Sequence, residues 1–281
     1  MANILLVSKN VQSCENYMKA LAEELQQLGH HVIFHENNRY DEGENSTCNE
    51  ALFSPLFTKQ TAPDYVVVGG GDGTVLLTVS RMPIQVPLVG INFGEVGFLA
   101  DLSPGTASSF LHSFLEKTDP KINTRMRIRF DVNGTYVGTA LNEAVIITDR
   151  PSKMLKIAVC IDGVRAEEFR ADGLIVSTPT GSTAYAMSGG GPIVDPRLEV
   201  FIMVPMAPFI LTNRPHLIQT ERNVNIMLVE ERPASLVIDG QSTITLTCDC
   251  TITIEKSPEP ALFIDAGENF FEKVTRKLRH L

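Results

Sequence analysis

A β-branched run that breaks into glycines around one carboxylate limits this chain more than any other stretch: Val66-Val67-Val68-Gly69-Gly70-Gly71-Asp72-Gly73-Thr74-Val75-Leu76-Leu77. The continuous valines read as a strand buried on both faces, which marks a parallel sheet. The apolar periodicity that resumes at Val75 reads as a helix, so the stretch is strand, turn, helix. Glycines at the carboxyl end of such a strand let a ligand approach the backbone, and the first-turn amides of the helix favour phosphate oxygens. Gly70, Gly71, Gly73 and Thr74 are the expected phosphate cradle. Asp72 does not suit that task, because a carboxylate repels phosphate unless it binds a metal, orients a hydroxyl or takes a proton. The plain alternative is a helix cap. Neither common glycine fingerprint fits: the third glycine of G-x-G-x-x-G would fall on Thr74, and Gly-Lys-Ser/Thr occurs nowhere.

The flanking sequence supplies the rest of an α/β domain. Asn3 to Val7 reads as a buried strand, Val11, Cys14, Met18, Leu21, Leu25 and Leu28 recur at helical steps before Gly29, and His31 to His35 reads as a second strand. That is a βαβ unit, so the sheet is expected to be parallel with a right-handed crossover. Glu36 to Glu50 is polar and acidic and reads as a solvated surface loop. Val86 to Leu99 repeats the strand-into-glycine pattern, which puts a second glycine-rich loop at the carboxyl edge of the sheet, where open α/β folds bind ligands.

Near residue 121 the pattern changes to period two. Thr124 to Val132 alternates polar and apolar, with Arg125, Arg127 and Arg129 on one side; Asn133-Gly134 is a hairpin turn, and Asp162-Gly163 another. Thr243 to Ile254 alternates again, with Cys248 and Cys250 on one face. The expectation is an α/β domain with a Rossmann-like parallel sheet over 1–120, an antiparallel all-β domain over 121–264, and a helix over 265–281 that returns to the first domain. The 281 residues have room for this, and the net charge of −9 argues against nucleic acid or an anionic membrane as the main partner. No apolar run is long enough to span a bilayer, the N-terminus lacks a charged leader region, and the five scattered cysteines suit reduced thiols, so the expected place is the cytoplasm.

Two stretches of the β domain are too polar for scaffold. Asn142-Glu143 interrupts an apolar strand with an amide and a carboxylate suited to sugar hydroxyls, a solvent-side edge pair being the alternative. Asp172 to Pro192 runs a strand into a dense cluster of hydroxyls and glycines with no charge between Asp172 and Asp195, as a polar ligand pocket requires.

Gly70-Gly71-Asp72-Gly73-Thr74 resembles the Gly-Gly-Asp-Gly-Thr motif of the NAD kinases, shared more loosely with lipid kinases and 6-phosphofructokinases. Gly90, Asn92, Gly94, Gly97, Phe98 and Leu99 resemble a second stretch of that family, Asn142-Glu143 its short Asn-Glu motif, Asp172 to Pro192 its longest motif, Arg214-Pro215 its Arg-Pro and Asp239-Gly240-Gln241 its Asp-Gly-Gln. The similarity is to bacterial-type NAD kinases. It implies transfer of a phosphoryl group from ATP or polyphosphate to the 2′-hydroxyl of the adenosine ribose of NAD, with Asp72 as proton acceptor and Gly73 beside it, both contacting the NAD substrate. It further implies Asn142, Glu143, Lys153, Arg170, Asp172, Thr183, Ala184, Tyr185, Ala186, Met187, Ser188 and Gln241 as NAD contacts, a divalent metal (magnesium) on unassigned ligands, and a homodimer or homotetramer that completes the site. Many members have Pro-His-Thr/Ser-Leu where this chain has Pro208-Phe209-Ile210-Leu211, so a histidine contact from that loop is not implied. The rival readings are a lipid kinase of the diacylglycerol kinase type and an NAD-binding sensor without turnover; Asp72 together with Asn142-Glu143 counts against the sensor.

Overall fold

The computed structural model describes residues 1–37, 54–94, 97–210, 212–247 and 249–278. It divides into two compact units, residues 1–124 with 261–281, and residues 125–260. The boundaries read from the sequence were 120/121 and 264/265; the strand Ala261–Ile264 lies in the first unit's sheet, so the chain returns there before its last helix begins.

In the first unit, β1 (Asn3–Lys9), β2 (His31–Asn37), β3 (Tyr65–Gly70) and β4 (Leu88–Asn92) pair in parallel in the order β2-β1-β3-β4. Ala261–Ile264 and then β5 (Ile122–Arg125) extend the sheet beyond β4. The order reverses at β1, with β2 on one side and β3 on the other, and ligands of open α/β sheets bind where the carboxyl ends diverge at such a point. Gly70 ends β3 there. Val66, Val67 and Val68 are at most 1% exposed, each contributing about 1.5–3 kcal/mol by full burial. Among the described residues the strands are followed in sequence by α1 (Gln12–Gln27), whose Cys14, Met18, Leu21 and Leu25 join the core, α2 (Asp72–Ser80) and α3 (Pro104–Leu115). The acidic stretch read from Glu36 onward starts inside β2 and continues outside the described residues.

The second unit is a sandwich of two antiparallel sheets. Its strands are β6 (Ile128–Val132), β7 (Thr135–Ala140), β8 (Glu143–Thr148), β9 (Leu155–Ile161), β10 (Val164–Ala171), β11 (Gly173–Ser177), β12 (Val200–Met206), β13 (His216–Gln219), β14 (Val224–Leu228), β15 (Ala234–Ile238), β16 (Ser242–Leu246) and β17 (Thr251–Lys256). One sheet runs β10-β9-β14-β17-β6-β7 and the other β13-β12-β11-β8-β15-β16. Side chains alternate between the faces of a strand. Ala144 and Ile146 of β8 enter the core between the sheets, while Val145 packs outward with Ile175, Ala186, Val194, Ile202 and Val204. That outer cluster seats the hydroxyl-rich loop against the second sheet.

Three sequence expectations need correction. Thr124 to Val132 is two strands, because β5 ends in the first unit's sheet at Arg125 and β6 starts in the sandwich at Ile128. The three arginines therefore form no common face: Arg127 is 8% exposed and donates to the Glu259 carbonyl at 2.9 Å, and Arg129 makes a two-pronged pair with Asp131 while stacking over Tyr136. Thr243 to Ile254 is also two strands, broken where Asp249 takes a left-handed φ of 60° and the chain crosses from one sheet to the other. Cys250 is buried in the core at that crossing, and Cys248 lies outside the described residues. The hydroxyl-rich loop carries the short α4 (Tyr185–Ser188), and after Ala261–Ile264 comes α5 (Phe270–Leu278), which belongs to the first unit.

Candidate active site

In the first unit the glycine turn behaves as the local sequence dictates. Gly71 is the extended N-cap and Asp72 the first residue of α2. The second glycine loop folds against it, the Phe93 amide donating to the Gly70 carbonyl at 3.0 Å. Asp72 receives three consecutive amides of that loop: Phe98 N–H donates to Oδ2 at 2.6 Å, and Leu99 and Ala100 N–H to Oδ1 at 2.9 and 3.4 Å. Gly97 makes room for this, since a Cβ there would sit 2.7 Å from Asp72 Oδ1. The Asp72 carboxylate is thus clamped in one orientation by a neighbouring loop, which a helix cap, bonding its own first turn, does not need.

In the second unit an analogous clamp holds the Asn142-Glu143 pair. Asp239 accepts Leu141 N–H on Oδ2 at 2.7 Å and Asn142 and Glu143 N–H on Oδ1 at 2.8 and 3.1 Å, and its own amide donates to the Glu143 carbonyl at 2.8 Å. Asp239 and Gly240 carry φ of 48° and 63°, the tight hairpin turn that Asp-Gly favours between β15 and β16. The hydroxyl loop then locks on from the β11 side. Thr178 N–H donates to the Asn142 carbonyl at 2.8 Å, Ser177 Oγ to the same carbonyl at 3.1 Å, and Thr178 Oγ1 to the Leu141 carbonyl at 2.6 Å. Gly181 passes so close that a Cβ would meet the Asn142 carbonyl oxygen at 2.3 Å.

The backbone around this pair is bonded, yet Asn142 Oδ1, Glu143 Oε2 and Thr180 Oγ1 are buried with no hydrogen-bond partner. Buried polar atoms are rarely left unmet in native proteins, so such a group is suited to a polar ligand. Burial first, and the nearby Asp239 charge second, push the Glu143 carboxyl up to about 8, against a hydrogen bond from the Tyr185 backbone. Burial likewise raises Asp239 to about 6 despite its three amide donors. Both folded values lie above those of the unfolded chain, so this stabilisation is complete below about pH 4 and is lost as pH rises through about 6 and then about 8. The thermal midpoint of the unliganded protein is accordingly expected to fall between pH 5 and 8, and Glu143→Gln to flatten the upper part of that slope. A scanning calorimetry series in which wild type and variant run parallel between pH 6 and 8 would contradict the assignment.

The other sequence-marked residues divide into two groups. Thr183, Ala184, Tyr185, Ala186, Met187 and Ser188 follow the hydroxyl turn: Thr183 and Ala186 are buried, Tyr185 is 43% exposed, and Ala186 anchors the short helical turn in the outer cluster. Gln241 is half-buried at the turn after Gly240. Lys153, Arg170 and Asp172 are at the opposite end of β8 from Glu143, because Thr148 N–H donates to the Asp172 carbonyl while Glu143 is in register with Ser177. From Glu143 to Thr148 the separation is roughly 17 Å at about 3.4 Å per residue. Arg170 pairs there with Glu230 at 2.8 Å, and Lys153 is exposed in a turn. The sequence reading left out Asp239 as a structural acceptor and the C-terminal Lys273, whose helical context shows only an amphipathic surface. Among the described residues no cluster of three or more Asp, Glu, His or Cys side chains forms a metal cage, and no helix is long and apolar enough to cross a membrane.

Comparison with known proteins agrees along the whole chain. Residues 4–119 match the ATP-NAD kinase N-terminal domain and residues 141–266 the ATP-NAD kinase C-terminal domain. The chain is 55% identical over 280 residues to the NAD kinase of Methanospirillum hungatei, covering 99% of this chain and 100% of that one. It is 53% identical over 279 residues to the NAD kinase of Methanoculleus marisnigri, covering 99% of each. Among solved structures, an NAD kinase from Archaeoglobus fulgidus in complex with ATP superposes with a TM-score of 0.80 at 32% identity over 99% of both chains. Yeast NADH kinase complexed with NADH, at 22% identity and a TM-score of 0.84 over all of this chain and 88% of its own, shares the fold. The relatives named by identity are archaeal and give no support to the bacterial subtype. With both domain families matched in order and relatives above 50% identity end to end, the chain belongs to the NAD kinase family, enzymes that phosphorylate NAD with ATP.

Proposed function

We propose that within this ATP-dependent phosphorylation of NAD the two units have separate tasks. The β unit recognises the dinucleotide through Asn142, Glu143 and the hydroxyl loop from Thr183 to Ser188, with Gln241 supporting it. The α/β unit handles phosphate through Gly70, Gly71, Gly73 and Thr74, and Asp72 orients or deprotonates the 2′-hydroxyl of the adenosine ribose. The observation that carries this reading is the set of buried oxygens without partners on Asn142, Glu143 and Thr180, which match the hydroxyl donors of a sugar. Phosphoryl transfer depends mostly on positioning and charge neutralisation, so no covalent intermediate on the enzyme is needed. Glu143→Ala should raise the Michaelis constant for NAD at least tenfold and that for ATP less than twofold. Equal changes in both would overturn the division.

Magnesium fits as a companion of the ATP phosphates more than as a guest of the protein. The described residues offer no carboxylate cage, and both Asp72 oxygens already accept amides; magnesium commonly binds through substrate phosphates and few side chains. When bound it would neutralise phosphate charge.

Assembly into a homodimer or homotetramer is proposed to complete the site. Lys153, Arg170 and Asp172 lie a strand length from Glu143, so a second copy is the simplest way for them to reach the same end of a ligand. Phe209, whose amide donates to the Arg170 carbonyl, is 73% exposed and Ile210 56% exposed, apolar surface that self-association would cover. Light scattering is expected to give an oligomer; a fully active monomer would refute this. ATP and NAD as substrates suit work in the cytoplasm.

A further inference from the structure

The amides that orient Asp72 are themselves held from the far side of their loop. Lys273 of α5 donates from Nζ to the Phe98 carbonyl at 2.7 Å and ion-pairs with Asp101, while Glu268 lies 3.7 Å away. Phe98 therefore links two partners: its carbonyl receives Lys273, and its N–H donates to Asp72 Oδ2 at 2.6 Å. Lys273 is only 5% exposed. A lysine is almost never so buried without a pairing that compensates the loss of water. The helix that carries it is itself secured, Asn269 Oδ1 accepting the Phe271 amide at 2.9 Å, and Lys277 one turn on lies 5.5 Å from the Phe98 ring. Three successive elements are thus coupled by short polar contacts: C-terminal helix, glycine loop, carboxylate.

We propose that Lys273 is a positioning residue for the phosphoryl transfer, acting by fixing the Phe98–Ala100 backbone whose N–H groups orient the Asp72 carboxylate. The inference rests on the reading of Asp72 as the group that orients or deprotonates the ribose hydroxyl. A lysine that only stabilised the helix would alter folding without singling out the chemical step. One that aims Asp72 alters kcat, and does so only while Asp72 is there to be aimed.

The test is a double-mutant cycle on the full-length enzyme, with Lys273→Met, Asp72→Asn and the pair, supported by hydrogen exchange at the Phe98 and Leu99 amides. Lys273→Met should lower kcat by about tenfold to a hundredfold, the range that small misplacement of a reacting group produces, and leave the Michaelis constant for NAD within about twofold. Beside Asp72→Asn the same substitution should cost less than about threefold. Exchange at both amides should quicken. Asp101→Asn, which weakens the ion pair from its more accessible side, should show the same pattern to a smaller degree and serves if Lys273→Met does not fold. Equal losses in the two backgrounds, or full turnover with unchanged exchange, would overturn the inference while leaving Asp72 as read. Near-normal turnover of Asp72→Asn alone would instead overturn the reading of Asp72, and the catalytic role of Lys273 with it.

Discussion

Asp72→Asn is expected to lower kcat by roughly two to four orders of magnitude while NAD still binds, the loss typical when a general base is removed. The substitution keeps size and removes charge and basicity. It also replaces one acceptor oxygen by an NH2 group in a place where Phe98, Leu99 and Ala100 all present donors, so at least one N–H meets another donor. An unmet buried amide costs about 1–3 kcal/mol, and the melting temperature should drop slightly with the turnover. The controls separate three roles. Recovery of turnover as magnesium rises would make Asp72 a metal ligand, by mass action at a weakened site. Turnover near wild type would make it a cap, since Asn caps helices about as well as Asp. Loss of NAD binding in step with turnover would make it an anchor for its loop.

Asp239→Ala should have the largest effect on stability. The change strands the amides of Leu141, Asn142 and Glu143, residues that are 1%, 7% and partly exposed. At about 1–3 kcal/mol for each unmet buried donor, less the relief of removing a buried carboxyl, the net loss is roughly 3–5 kcal/mol. For a chain of this size that corresponds to a fall in melting temperature of roughly 5–10 °C. Because the same amides shape the Asn142-Glu143 corner, any folded fraction should also show a Michaelis constant for NAD raised more than tenfold. Asp239→Asn retains one oxygen and should fall between. Scanning calorimetry giving a melting temperature within a few degrees of wild type would show that water replaces the carboxylate and that the clamp has little structural weight.

What could be read from the sequence follows from the range of the interactions. The strand-turn-helix at Val66 to Leu77 is local chemistry, β-branched residues and glycines acting within one turn of chain, and it stands where the pattern put it. Alternation is also local, but it does not register where a strand leaves one sheet for another. Thr124 to Val132 and Thr243 to Ile254 keep period two across such crossings, and each was read as one strand for that reason. The density of hydroxyls after Ser177 was visible, whereas the acceptor that shapes its neighbour Asn142 comes from Asp239, across the sheet, and shows in the sequence only as an Asp-Gly turn. Lys273 is the extreme case. A lysine on an amphipathic helix reads as solvent-facing, and only the packed structure gives it Asp101 and the Phe98 carbonyl.

Calorimetric titration of NAD into two variants side by side tests the division of labour most directly, because it reads binding without chemistry. Asp72→Asn should bind NAD within about threefold of the wild-type affinity, whereas Glu143→Ala should lose at least tenfold, about 1.4 kcal/mol. The reverse order, with Glu143→Ala binding normally and Asp72→Asn failing to bind, would contradict the account.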